Sequence, residues 1–208
     1  MWSWASDRQN LIRVGLGVVL LGVLVWALPE RRPGDGGGHH AAHPPAGLDL
    51  FERAGVTELT AGQKGPAFRL AFMDGRVVSL DEWRDRLVIL NFWATWCQPC
   101  TLEMPALEAL WTRYRDRGLV VVGISVDRGA PRGVLEPYLR NLGLTFPILL
   151  DPELATAGAW RVSALPATFI LRPGGEVAGI AVGAREWNSR EMTALLETML
   201  PGQRHAGH

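Results

Sequence analysis

The pattern of apolar and polar positions divides the chain into a continuous apolar block, a structureless stretch and a long periodic region. Leu11 to Leu28 is apolar apart from Arg13. As a helix, Val14 to Leu28 would be about 22 Å long, and the run from Leu11 about 27 Å, against a bilayer core of about 30 Å. A retained membrane anchor over 11–28 is the favoured expectation. Arg13 can reach the headgroups, and Trp2, Trp4 and Trp26 suit membrane interfaces. A cleaved signal segment is the alternative, with Val25-Trp26-Ala27 resembling a small-x-small cleavage site. Arg8 and Arg13 on one side balance Arg31 and Arg32 on the other, so charge gives no orientation. Pro33 to Gly47 is rich in Gly, Pro, Ala and His and reads as a flexible tether. The domain organisation expected is a stub over 1–10, the apolar segment over 11–28, a linker and lead-in over 29–62, a folded domain over 63–200 and a tail over 201–208.

Within the domain the periodicity alternates between strand and helix. Leu48 to Ala54 suits a short leading helix. Ala67–Phe72 and Val77–Leu80 flank an Asp74-Gly75 turn and read as a hairpin. Asp81 can cap a brief turn through Trp83. Leu87 to Ala94 and Leu119 to Val126 are apolar on both faces, as central strands are when helices cover the sheet. Between them a helix runs to Arg117 and stops at Gly118, with Leu107, Leu110, Trp111 and Tyr114 on one face and a kink expected at Pro105. A helix over Pro131–Asn141, a strand over Phe146–Leu150 and a short helix over Pro152–Trp160 follow. Ala167–Leu171 and Glu176–Val182 form a second hairpin around Pro173-Gly174-Gly175. Asn188 and Glu191 suit the start of a last helix ending at Leu200. The fold class is α/β, with a central mixed β-sheet flanked by helices.

Composition narrows the function. Hydrophobic residues make up 48% of the chain, and acidic and basic residues balance at 21 each, so no charge excess points to nucleic acid. The two cysteines, Cys97 and Cys100, sit in Trp96-Cys97-Gln98-Pro99-Cys100, between an apolar strand and a helix, and a C-x-x-C in that position reads as a redox site. Zinc needs about four soft ligands, yet His39, His40, His43, His205 and His208 all lie in the tails; no metal is expected. The same absence removes the base of a Cys-His hydrolase. A purely structural disulfide would gain little from closing so short a loop.

Asn91-Phe92-Trp93-Ala94-Thr95-Trp96-Cys97-Gln98-Pro99-Cys100 resembles the active site of thioredoxin-fold reductases, most closely the TlpA-like branch with its membrane-tethered reductases of cytochrome c maturation. Pro105 matches the helix-kinking proline, Ala164-Leu165-Pro166-Ala167-Thr168-Phe169 the cis-proline segment, Glu103 the Cys-x-x-Glu-x-Pro arrangement, and Leu119 to Leu150 the strand–helix insertion. Asn91 stands where thioredoxins proper carry a buried aspartate. The resemblance spans roughly Gln63 to Leu200. It implies a thioredoxin-like fold with no cofactor, and a thiol–disulfide oxidoreductase acting on protein disulfides. Apocytochromes c or copper-delivery proteins would be the substrates, and a membrane thiol-relay partner the reductant. It further implies a monomer on the periplasmic side of a bacterial inner membrane, with the stub in the cytoplasm.

The residue roles follow from both readings. Cys97, at the amino end of a helix, is the expected exposed nucleophile; Cys100 resolves the mixed disulfide. Glu103, one turn on, is a candidate proton shuttle, the plainer option being a solvated helix glutamate. Leu165 and Pro166 are candidates for binding extended substrate, and Trp96 for shielding the disulfide, with Trp93 a core residue. A thiol peroxidase fits less well, because Ala94 stands where that pattern has threonine. A copper-binding assembly factor would need C-x-x-x-C and a domain histidine.

Overall fold

A computed structural model describes residues 49–129 and 132–202. The apolar segment 11–28, the tether and the five histidines lie outside these residues. No helix among the described residues is long and apolar enough to cross a membrane.

The chain order is α1 (Leu50–Arg53), β1 (Thr57–Glu58), β2 (Arg69–Phe72), β3 (Val77–Ser79), β4 (Leu87–Trp93), α2 (Gln98–Tyr114), β5 (Leu119–Ser125), α3 (Arg132–Asn141), β6 (Ile148–Leu150), α4 (Ala155–Ala159), β7 (Ala167–Leu171), β8 (Val177–Val182) and α5 (Arg190–Glu197). The strands form one mixed sheet in the order β1-β8-β7-β4-β5-β6-β2-β3. β4, β5 and β6 run parallel, and the remaining pairings are antiparallel. Every residue of β4 and β5 is buried, as their unbroken apolar runs require. The expected thioredoxin-like α/β fold is thus present. Its first hairpin joins the sheet through β6, where Ala71 pairs with Leu150 and Phe72 with Leu149.

Residues 49–58, within the lead-in, belong to the folded unit. Asp49 accepts a hydrogen bond from the Phe51 N–H at the start of α1, and Phe51 and Val56 are buried. Thr57 and Glu58 pair with Ile180 and Gly179 of β8. Gly179 permits that approach: a Cβ there would stand 2.7 Å from Val56 Cγ1, 3.0 Å from the Thr57 carbonyl oxygen and 3.1 Å from Phe51 Cε1. Gly179→Val should therefore lift β1 off the sheet. The expected cost is about 1–3 kcal/mol in urea denaturation, with faster hydrogen exchange at the Leu59 N–H, which donates to Ala178 O.

Two helix starts differ from expectation. Ser189, not Asn188, caps α5: its side chain accepts from the Met192 N–H at 3.2 Å. The reason is upstream, where Trp187 is wholly buried and the Ser189 N–H bonds Glu186 O, which sets the helix start one residue later. The helix also ends at Glu197 rather than Leu200. α4 begins at Ala155 rather than Pro152, because the Asp151 carboxylate accepts from Thr156 N–H and Ala157 N–H.

Candidate active site

β4 delivers the chain to the site, and Asp127 shapes the turn that follows. Its carboxylate accepts from Thr95 N–H at 3.0 Å, Thr95 Oγ1–H at 2.6 Å and Ser125 Oγ–H at 2.8 Å. These bonds fasten the Thr95–Cys97 turn to the end of β5. Asp127 escaped the sequence reading; its only signal was an acid placed just beyond a buried strand. Cys97 is the N-cap of α2, and its Sγ accepts from Cys100 N–H at 3.3 Å. Pro99 lies in the first turn, where its missing N–H costs nothing.

Cys97 and Cys100 are joined as a disulfide with their Cα atoms 5.3 Å apart. They are not equivalent. Cys100 is fully buried, whereas Cys97, 6% exposed, lines a cleft of about 850 Å³. Cys97 is therefore less open than an exposed nucleophile, and the cleft is its approach. Trp96, Leu154, Val162 and Leu165 give the cleft apolar walls. Trp96 is 71% exposed on its rim. Trp93 is core: it stacks on Tyr138 with centroids 5.6 Å apart, and Tyr138 OH lies 2.6 Å from Thr101 Oγ1. The Leu165–Pro166 peptide is cis, and Pro166 O accepts from Gly183 N–H at 2.8 Å.

Glu103 is not a solvated helix residue. It is 2% exposed and sits in a network that spans the sheet. Asn91 Nδ2 donates to Glu103 Oε1 at 2.8 Å and to Thr168 Oγ1 at 2.8 Å. Glu103 Oε2 accepts from Trp187 Nε1–H at 2.9 Å and from Arg185 N–H at 3.1 Å. Burial pushes the Glu103 carboxyl above its ordinary range, outweighing these donors and the Arg185 charge, all of which act downward. Asn91 Oδ1 is buried without a partner among the described residues. Among the described residues no group of three or more His, Cys, Asp or Glu side chains is placed to hold a metal ion.

A disulfide at a helix amino end, one sulfur on a cleft and the other sealed beneath, on this sheet, defines a thioredoxin-fold thiol–disulfide oxidoreductase. Comparison with known proteins agrees. A sequence profile described as the AhpC/TSA family matches residues 61–180, and the chain belongs to that family. It is 36% identical over 127 residues to the thiol-disulfide oxidoreductase ResA of Geobacillus thermodenitrificans, covering 61% of this chain and 72% of that one. With ResA of Bacillus subtilis it shares 31% over 130 residues, covering 62% and 72%. Among solved structures it is similar to a thiol-disulfide oxidoreductase from Bacteroides fragilis, with a TM-score of 0.58 and 25% identity over 66% of this chain and all of that one.

Proposed function

We propose that the protein reduces disulfides of extracytoplasmic protein substrates through the Cys97–Cys100 pair, tethered to the outer face of a bacterial inner membrane by residues 11–28. The observation that carries this reading is the inequality of the two sulfurs: Cys97 lines the cleft and Cys100 does not. In the reduced protein the Cys97 thiolate, favoured by the α2 amino end, attacks a substrate disulfide. One substrate thiolate leaves and a mixed disulfide forms. Cys100, deprotonated, then attacks Cys97 Sγ, which re-forms the Cys97–Cys100 disulfide and releases the second substrate thiolate. Two electrons have passed to the substrate. A membrane thiol-relay dithiol returns them by the reverse exchange. Leu165, ahead of the cis Pro166, offers its backbone to an extended substrate, and Trp96 covers one side of the sulfurs.

Glu103 is the acceptor of the Cys100 proton in this scheme. A protonated carboxyl cannot accept, so resolution by Cys100 should quicken as pH rises through the raised Glu103 value. Glu103→Gln should lose that limb and slow resolution roughly a hundredfold. Stopped-flow exchange across pH measures it; a limb that persists in the variant removes Glu103 from proton transfer. The stability sign follows from the same shift. The native state holds the Glu103 proton more tightly than the unfolded chain, so this stabilisation is full in acid. It is lost as pH rises from the ordinary carboxylate range through the raised value.

Apocytochromes c and copper-delivery proteins are the substrates the family resemblance favours, with the enzyme monomeric. Insulin reduction by the dithiol form, set against consumption of peroxide, tests the reaction. Peroxide turnover without insulin reduction would favour a peroxidase instead.

A further inference from the structure

The turn from Val182 to Trp187 touches both halves of the site. Gly183 N–H bonds the carbonyl of Pro166, which follows the cleft-lining Leu165, while Arg185 N–H and Trp187 Nε1–H hold Glu103 Oε2 on the buried side. Arg185 fastens this turn to itself and to the lead-in. Its Nη2 donates to Val182 O at 3.0 Å, its Nη1 to Ala184 O at 3.0 Å and Gly183 O at 3.5 Å, and its Nε to Gly55 O at 3.1 Å. Every partner is a backbone carbonyl, and Arg185 makes no ion pair among the described residues. A guanidinium fork suits this task because its donors diverge in one plane, which an ammonium cannot reproduce.

We propose that Arg185 is a positioning residue for thiol–disulfide exchange, its guanidinium clamping the Val182–Trp187 turn so that the turn's two N–H donors hold Glu103 in place one helical turn after Cys100. This rests on the reading of Glu103 as proton acceptor. The groups bonded to Glu103 are Asn91 from β4 and Arg185 and Trp187 from the turn, and the Arg185 guanidinium is its neighbouring charge; Cys100 lies one turn earlier on the same helix. Glu186 shares with Glu103 and Leu102 a small surface cleft of about 240 Å³.

The Trp187 indole N–H reports the clamp without any activity. Its NMR signal, assigned by loss in Trp187→Phe, should exchange with deuterium at least about tenfold faster in Arg185→Ala than in wild type. The pH midpoint of resolution by Cys100 should move up by about one unit, since Glu103 loses both a cation and its ordered donors. Arg185→Lys keeps the cation and most of the aliphatic stem and should recover less than half of either change. Unaltered indole exchange in Arg185→Ala and Arg185→Lys would overturn the clamp, as would full recovery by lysine, which would leave only a through-space charge. If Glu103→Gln keeps the wild-type pH profile while indole exchange still responds to Arg185, the clamp is structural and its role in exchange falls with the Glu103 reading. Loss of insulin reduction in the wild type would instead strike at the proposed reaction and leave the indole result standing.

Discussion

Cys100→Ser protein, expressed as the full chain in its native host, should accumulate as a mixed disulfide with its partner. Cys97 lines the cleft and can still attack, but the buried sulfur that would displace the partner is gone. The adduct should resist alkylation and dissolve under dithiothreitol. Cys97→Ser should show no adduct, and turnover should fall by roughly three orders of magnitude or more, since the one thiol left, Cys100, is fully buried. Non-reducing gels and mass spectrometry of the trapped species read both results and identify the partner. Equal trapping by the two variants would mean that either sulfur can reach a substrate disulfide, and the ordered mechanism would fail.

Asn91→Asp should cost about 3 kcal/mol of stability at pH 8, and the loss should shrink toward pH 5. Asn91 Nδ2 now donates to Glu103 Oε1 at 2.8 Å with both residues buried. An aspartate there places a second carboxyl against the first, and two carboxylates so close do not both ionise. The pair titrates as a unit and keeps a shared proton in the native state. The unfolded chain gives that proton up at ordinary carboxylate values, so stability falls as pH rises. Denaturant melts at the two pH values test this; equal losses at both would show that the carboxyls separate and reach water.

What the sequence made legible was mostly local. The C-x-x-C spacing, the apolar runs of β4 and β5, and the helix between them all lie within about forty residues, and each follows from neighbours along the chain. Glu103 was harder, because a glutamate on a helix is ordinarily solvated. What buries it arrives from Arg185 and Trp187, 82 and 84 positions later. Asp127 was missed for a related reason: its worth lies in holding a turn thirty-two residues earlier. β1 left no pattern at all, since two exposed polar residues carry no alternation. The placement of β2 beside β6 depends on which strands meet in space, which periodicity does not encode. The Leu165–Pro166 geometry was expected only through the family resemblance, as an X-Pro pair alone predicts the trans form.

The sheet's longest members, β4 and β5 with seven residues each, lie in its middle, and the outermost are β1 with two and β3 with three. Unpaired backbone along a flank invites another chain to add on, and stubs this short give it almost nothing to grip. For a catalyst of thiol–disulfide exchange with other proteins, that guards against a client zipping on as an extra strand. The client is left to engage through its sulfur and be let go.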